Sequence, residues 1–365
     1  MPKKYYTLNQ LIGSYYIRYD RLYELITSYY SGSSAENIDL YLDVTPLIKN
    51  LYGNTDVEIN SITLTACLYN MCAHYRNFFK TRFGVSTRIF IVCSSMITPL
   101  NHKYLLDYSN KPPILESDKS EPDITQIIFR SFDLLDLLCN YTQDVYLVQT
   151  QHEASVAIYG LLLSSRGLVP NIIISKDLYD YQLVSVPNSL SESTIVIRPK
   201  KVDNNDISYI VDKNNILSVL LVERKVKVAP KETFCLDSSL YSLILALTRL
   251  PERHIKSLLN LPDAIRSLSE AIQSNDIYNG WTVDADRVAY TINKGREQTK
   301  KINEFEVANR FNAIDIVSQF DSLQSTGIPI SIVNMTNLYD PNGMKEIINK
   351  YFGKDNTLDV MGMNL

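Results

Sequence analysis

Between residues 38 and 175 the chain alternates short apolar runs with longer segments of helical spacing, and this alternation constrains the fold more than any other feature. The short runs are rich in β-branched and aromatic residues, which is typical of strands buried on both faces of a parallel sheet. They lie at 38–44, 88–93, 145–148 and 171–175. The helical segments between them lie at 62–83, 124–141 and 152–166. This order predicts an α/β fold with a doubly wound, mainly parallel sheet.

The flanking regions predict three further parts of the chain. Residues 5–30 have apolar groups at helical spacing, and Gly84 is placed to end the helix that precedes it. After residue 190, runs at 194–199, 207–212 and 216–228 resemble strands, with a hairpin turn at Lys213, and helices dominate from 237. We therefore predict an N-terminal helical segment (1–37), an α/β domain (38–190), a β-strand extension (191–235) and a helical C-terminal region (236–365).

Composition limits the environment and the partners. The 365 residues carry a net charge of -4, so any contact with DNA needs a local basic surface. The five cysteines form no CxxC pair, which argues against a disulfide framework or a zinc site. The first residues lack an apolar signal core, and no stretch approaches a membrane span of about 18 apolar residues. We expect a soluble protein of the cytoplasm or the virion, with no membrane partner, and the many Tyr, Asn and Lys residues suggest AT-rich coding DNA of a phage or virus.

Acidic residues follow the predicted strands at the edge where an α/β sheet binds its ligands. Asp43 ends the first strand, Glu153 begins a helix after the third, and Asp177 with Asp180 follows the fourth. Carboxylates at this edge are the ligands that a pair of Mg²⁺ or Mn²⁺ ions about 4 Å apart requires. The same residues also suit turns and helix N-termini, and both interpretations stay open.

Four passages resemble motifs of the 5′-nuclease superfamily, the PIN-like flap endonucleases and 5′-3′ exonucleases. They are YLDVTPL at 41–47, HKYLLDYSNK at 102–111, EASVAIYGL at 153–161 and NIIISKDLYDYQLV at 171–184. The resemblance implies a PIN-like fold, DNA as a partner, and Mg²⁺ or Mn²⁺ as the cofactor of an active enzyme. It also implies Asp43, Glu153 and Asp177 as metal ligands, with Asp180 as a further catalytic carboxylate.

The chain departs from the family pattern at several acidic positions. Ser94 or Ser95 replaces the acid after the second strand, and Ser155 and Val156 replace the aspartates of the "EADD" helix. Tyr179 replaces the second Asp of the "DxD" motif. The segment LTRLPERHIK at 247–256 lacks the Gly and the acidic pair of the family's "GDxxDN" element. Ser109 occupies the position where the family has its arch lysine.

These departures imply a degenerate, noncatalytic 5′-nuclease-like protein that binds nucleic acid or has a structural role in replication or virion assembly. The alternative is an active divalent-metal-dependent 5′-3′ exonuclease or flap endonuclease with a reduced carboxylate site. No small-molecule cofactor is expected in either case.

Basic residues suggest where DNA would be contacted. Lys103 and Lys111 lie in the arch-like segment, while Lys200, Lys201 and Arg224 lie on predicted strands, where solvated edge lysines are the competing interpretation. Tyrosines interleaved with arginines near the N-terminus predict instead a surface for a protein partner, such as another viral or replication protein.

Overall fold

A computed structural model describes the central sheet, the helices around it and parts of the C-terminal region. The described residues are 8–30, 36–52, 59–94, 124–150, 152–165, 169–186, 193–203, 205–225, 238–248, 258–265, 268, 304–325 and 341–352. Lys103, Lys111, Ser95 and Ser109 lie outside them, as does most of the segment 247–256.

A six-stranded sheet forms the centre of the protein, in the order β3-β2-β1-β4-β5-β8. Neighbouring strands from β3 through β5 are parallel, and β8 is antiparallel to β5. A separate hairpin consists of β6 and β7. The strands are β1 (Asn37–Asp43), β2 (Ser86–Ser94), β3 (Val145–Thr150), β4 (Asn171–Ile174), β5 (Thr194–Arg198), β6 (Lys201–Val202), β7 (Asn205–Asp206) and β8 (Tyr209–Val211). The prediction of a mainly parallel α/β sheet is confirmed.

The strand order places a topological switch point between β1 and β4. The chain runs from β1 outward to β2 and β3, then returns to the other side of β1 to form β4. In such sheets the crevice outside the carboxyl ends of the two central strands is open to side chains of both halves. Asp43 ends β1, and Ser175 to Asp177 follow β4, so both reach this crevice.

Helices cover both faces of the sheet. Leu40, Leu42 and Ile172 point to one face, under the N-terminal helices and the long helix α4, whereas Tyr41 and Ile173 point to the other, under α6 and the C-terminal helices. The helices are α1 (Leu8–Gly13), α2 (Tyr19–Tyr30), α3 (Thr45–Tyr52), α4 (Ser61–Phe83), α5 (Ile124–Asn140), α6 (Ala154–Ser165), α7 (Ile216–Glu223), α8 (Tyr241–Leu247), α9 (Glu304–Ile314), α10 (Ile316–Ser325) and α11 (Pro341–Ile347). A 3₁₀ helix spans Leu178–Val184, a second one spans Ser238–Leu240, and a π-helical turn spans Ile348–Phe352. None of the described helices is long and apolar enough to cross a membrane.

The N-terminal helical segment is part of the main core. The single helix expected over 5–30 is two helices, α1 and α2, joined by a turn at Ser14–Arg18. The hydroxyl groups of Tyr16 and Tyr19 donate to the carbonyls of Cys67 and His74 on α4. Tyr16 and Tyr19 thus serve internal packing, whereas Tyr23 is 45% exposed, and a surface for a protein partner on this segment stays a prediction.

The sequence predicts a strand over the run 216–228, and this is wrong for its described part. Residues Ile216–Glu223 form α7, which begins after a turn in which Asp212 Oδ1 accepts from the backbone N–H groups of Asn214 and Asn215 at 2.8 and 3.0 Å. A continuous apolar run does not by itself distinguish a strand from a short helix. The β extension is therefore two strands added to the main sheet plus the β6–β7 hairpin.

Gly84 ends α4 as the sequence predicts. It has φ 67°, in the left-handed region, and its N–H bonds back to the carbonyls of Lys80 and Phe79. A Cβ built at Gly84 would meet no atom within 4 Å, so only the backbone conformation opposes a side chain there.

We therefore expect Gly84→Ala to lower the free energy of unfolding by about 1 kcal/mol, because alanine is strained at positive φ. Gly84→Asn should cost less, since asparagine tolerates this region. Urea unfolding of both variants measures the difference. Equal losses for the two would show that crowding, rather than φ, governs the site.

Candidate functional site

Asp43 lies at the carboxyl end of β1 and is 1% exposed. Both oxygens of its carboxylate accept hydrogen bonds from within the protein. Oδ1 accepts from the backbone N–H of Thr45, the first residue of α3, at 3.0 Å. Oδ2 accepts from the Ser175 hydroxyl at 3.1 Å. Asp43 therefore ties β1 to the start of α3 and to the segment that follows β4.

Asp180 is brought beside Asp43 by the 3₁₀ helix Leu178–Val184. Asp177 caps this helix, its Oδ1 accepting from the N–H of Tyr179 at 3.0 Å. The tight turn directs Asp180 inward, where it is 2% exposed and its carboxyl group is hydrogen-bonded to that of Asp43. The other oxygen, Asp180 Oδ2, has no hydrogen-bond partner among the described residues.

Each of the two carboxyl groups shifts the pKa of the other. Burial, followed by the negative charges of Asp43 and Asp177, raises the pKa of Asp180 well above its ordinary value. Burial also raises the pKa of Asp43, while hydrogen bonds from Thr45, Asp180 and Ser175 oppose that rise. Because Asp43 is the better supplied with donors, Asp180 is the group of the pair that keeps a proton to higher pH.

Glu153 lies at the same edge of the sheet, one residue before α6, and is half-buried. A series of hydrogen bonds leads toward it from the loop after Asp43. The Thr45 hydroxyl oxygen accepts from the backbone N–H of Ser94 at 3.0 Å, and the Ser94 hydroxyl donates to the carbonyl of His152 at 2.5 Å. Ser94, which stands where the related motif has an acid, thus joins the ends of β2 and α6.

Tyr15, in the N-terminal segment, lies within reach of the charges of these carboxyl groups. Its ring is 2% exposed, and its hydroxyl has no hydrogen-bond partner among the described residues. Burial, followed by the charges of Asp43, Asp177 and Asp180, raises the pKa of Tyr15 well above its ordinary value. The ammonium of Lys176 lies 4.5 Å from the centre of the same ring.

The placement of the carboxyl groups bears on whether a divalent metal could bind here. Within the described ranges, which include Asp43, Glu153, Asp177 and Asp180, no three His, Cys, Asp or Glu side chains are placed to hold an ion. Hard cations require several oxygen ligands around one point. As placed, these residues do not supply a complete ligand set.

The basic residues predicted to contact nucleic acid have different surroundings. Lys200 Nζ donates to Glu223 at 3.0 Å, whereas Lys201 is exposed and its Nζ donates to the carbonyl of Gly13 at 2.7 Å. Arg224 follows the last turn of α7, so its predicted place on a strand is wrong. These residues do not form one continuous strand face.

Sequence patterns missed three residues that shape this edge. Ser175 bonds both Asp43 and the backbone N–H of Asp177, and the ammonium of Lys176 lies over the ring of Tyr15. The position of Ser175 directly after the β4 run was a usable signal, because hydroxyl residues there often organise the following turn. Nothing in the sequence indicated that Tyr15 would lie against a segment about 160 residues further along the chain.

Comparison with known proteins finds similarity only at the level of solved structures, since no family model matches and no curated protein is similar. The chain is similar to a bacteriophage T5 D15 flap endonuclease in complex with DNA and metal ions, at 10% identity and TM-score 0.41, covering 85% of this chain and 98% of that one. It is similar to the Holliday junction-resolving enzyme GEN1, at 12% identity and TM-score 0.44, over 94% of this chain and 72% of that one. A third similar structure is the catalytic core of Rad2 in complex with DNA, at 12% identity and TM-score 0.41, over 88% and 91% of the two chains.

We expect Asp180→Asn to stabilise the protein at neutral pH by about 1–3 kcal/mol, because an amide can donate to Asp43 without titrating. The folded state of the wild type holds a proton that the unfolded chain releases above about pH 4. The contribution of this proton to the free energy of unfolding therefore falls as the pH rises from about 4 through the raised pKa of Asp180. Urea unfolding at about pH 5 and about pH 8 should show the advantage of the variant growing with pH.

The matched control for that experiment is Asp321→Asn, which removes one exposed carboxylate on α10. Its effect should be small and nearly independent of pH. A loss of stability in Asp180→Asn at both pH values would contradict the raised pKa of Asp180.

We expect Tyr15→Phe to be as stable as the wild type or more stable by up to about 1 kcal/mol, because it removes a buried hydroxyl that has no partner among the described residues. Tyr15→Ala should cost about 3–5 kcal/mol through the cavity that it leaves. Thermal and urea unfolding compare the two variants. A large loss in Tyr15→Phe would mean that the hydroxyl makes an interaction of its own.

Proposed function

We propose that this protein is a noncatalytic member of the 5′-nuclease fold. It binds nucleic acid, or it has a structural role in viral replication or in virion assembly. The single observation behind the proposal is the burial of Asp43 and Asp180, which are 1% and 2% exposed, at the edge of the sheet where a metal-dependent nuclease needs carboxylates that an ion can reach. The host-cell interior and the virion are the proposed locations, and viral or replication proteins are the proposed partners.

The first support is the chemistry of the carboxyl edge. Phosphodiester hydrolysis by a metal-bound water requires carboxylates that an ion can reach. Asp43 and Asp180 are 1% and 2% exposed. Tyr15, whose pKa is raised by burial and by the charges of these groups, belongs to the same core as β1 and α4. The two carboxyl groups are therefore surrounded by core packing.

The second support is the packing of the residues that replace the family's acidic residues. Tyr179, at the position of a family aspartate, is 2% exposed, and its hydroxyl donates to the carbonyl of Ile314 and accepts from Gln319. Val156 is fully buried in the core on that side of the sheet. These residues stabilise the packing of α6, α9 and α10, which is a structural use of positions that hold ligands in the related motifs.

The alternative is an active enzyme that requires the opposite state of the same residues. Its catalytic groups are Asp43, Glu153, Asp177 and Asp180, and its cofactor is Mg²⁺ or Mn²⁺. Such an enzyme needs Asp43 and Asp180 both deprotonated and within reach of an ion. The two hypotheses are therefore separable by metal binding and by cleavage.

We expect the purified protein to leave labelled flap, nicked and single-stranded DNA intact in Mg²⁺ or Mn²⁺. We also expect no thermal stabilisation by either ion, whereas a site filled at 100 times its dissociation constant would add about 2.7 kcal/mol. A flap endonuclease of known activity, assayed on the same DNA, confirms that the conditions support cleavage.

The control for any observed cleavage is the double variant Asp43→Asn/Asp177→Asn. These changes keep the side-chain shapes while removing two of the carboxylates that the active alternative requires. Cleavage by the wild type that disappears in this variant would overturn the noncatalytic proposal. Cleavage that persists in it would be assigned to a contaminating nuclease.

A further inference from the structure

The turn at residues 14–18, which joins α1 to α2, is bonded to both α4 and the β6–β7 hairpin. From α4, the hydroxyl of Tyr75 donates to the backbone carbonyl of Tyr15. On the hairpin, the carboxylate of Asp206 accepts from the backbone N–H of Arg18 at 2.7 Å. The N-terminal helices are therefore attached to the rest of the protein by polar contacts of this turn as well as by apolar packing.

His74, on α4, contacts the same turn with a titratable side chain. Its Nε2 lies 2.9 Å from the backbone carbonyl oxygen of Ile17. Because a carbonyl oxygen only accepts, Nε2 carries the hydrogen and donates, and in the neutral ring Nδ1 carries none. Among the described residues no side chain or carbonyl forms a hydrogen bond with Nδ1. A proton added at Nδ1 would therefore lack an acceptor within this part of the protein.

Three tyrosine rings lie around the imidazole of His74. The ring centres of Tyr16 and Tyr19, in the N-terminal segment, lie 4.9 and 4.7 Å from the imidazole centre. The ring centre of Tyr75, the next residue on α4, lies at 5.1 Å. The hydroxyl of Tyr19 also donates to the backbone carbonyl of His74 at 3.0 Å. The imidazole is thus packed in the interface between the N-terminal segment and α4.

Burial and the hairpin oppose a positive charge on this ring. Aromatic rings attract cations, yet burial has the larger effect and lowers the pKa of His74 below its ordinary value. The hydrogen bond to Ile17 acts in the opposite direction, and the charge of Lys201 lowers the pKa further. Lys201 Nζ donates to the carbonyl of Gly13 at 2.7 Å, so this charge is fixed beside the turn.

The other titratable groups around the turn are engaged or stay neutral. Asp206 lies opposite Lys201 in the hairpin and accepts from Ser208 at 2.5 Å as well as from the turn. The exposed guanidinium of Arg18 pairs with Asp20 at 2.5 Å. Burial raises the pKa of Tyr75, so its hydroxyl stays protonated. Among these groups, the histidine is the one whose charge changes near neutral pH.

We propose that His74 is an acid-sensitive latch, whose neutral ring holds the N-terminal helices on α4 and whose protonation favours their opening. In the open state the imidazole takes up a proton below about pH 6.5, as an ordinary histidine does. In the closed state it does so only at lower pH. The stability of the closed state is therefore full above about pH 6.5 and is lost as the pH falls through the lowered pKa. This latch does not depend on whether the protein is catalytic.

The test compares hydrogen–deuterium exchange of residues 8–30 in the wild type and in His74→Gln at equal pH, so that the intrinsic pH dependence of exchange cancels. A glutamine amide can donate to the carbonyl of Ile17 without titrating. As the pH falls from about 7.5 to about 5, the wild type should exchange faster relative to the variant. The ratio should rise by up to about tenfold for each unit by which the pKa of His74 is lowered.

The matched control is His152→Gln, which removes the other histidine that the structure describes and lies outside this interface. It should keep the pH dependence of the wild type. The same pH dependence in His74→Gln would overturn the proposal. Exchange of residues 8–30 no faster than that of β2 at about pH 5 would also overturn it, because the helices would then open only with the whole protein.

An NMR titration of the histidine rings provides a second measurement that does not require His74→Gln to fold. His74→Phe, which fills the space between the tyrosine rings, assigns the signal of His74 in the wild type. A pKa of His74 below about 6.5 supports the latch, and a value at or above it overturns the proposal.

Discussion

The rest of the carboxyl edge depends on the hydrogen bond between Asp180 and Asp43. Two buried carboxyl groups side by side need something to neutralise them, because two like charges in a dry interior repel strongly. The 3₁₀ helix Leu178–Val184 directs Asp180 inward against the end of β1, where burial and the charge of Asp43 raise its pKa. A metal ion and a proton are alternative ways to neutralise such a pair.

The 3₁₀ helix connects this edge to the C-terminal region. Gln182 is fully buried: its amide donates to the carbonyl of Ile314 at 3.2 Å, and its carbonyl accepts from Ser242 at 2.8 Å and from the N–H of Ile316 at 3.3 Å. The hydroxyl of Tyr241 donates to the carbonyl of Leu178 at 2.8 Å. Satisfying buried polar groups in this way makes the network costly to break at any single point. The segment whose sequence most resembles a nuclease motif thus holds the helices α8, α9 and α10 in place.

The sheet was predictable because its information is local. Four β-branched runs with helices between them define the order and the parallel direction of β1 to β4, and Gly84 marks the end of α4 by a conformation that glycine favours. The helix α7 was missed since a short apolar run has no period that excludes a strand. Asp43, Asp177 and Asp180 follow β1 and β4 at one edge of the sheet, but the pKa shifts of Asp43 and Asp180 depend on burial in the folded core. Such an interaction between distant residues leaves no pattern along the chain.

The turn between α1 and α2 has a consequence for how the chain folds. Its partners lie far along the sequence: Ser14 and Lys176 are 162 residues apart, and Gly13 and Lys201 are 188 apart. Interactions of such separation are formed late and slow the folding of a chain, since the closure of long loops precedes any gain from them. The N-terminal helices pack on α4 well before that, because Tyr16 and Tyr19 bond to Cys67 and His74. Their connecting turn is secured only once β4 and the hairpin are present, so this side of the core is completed in two stages.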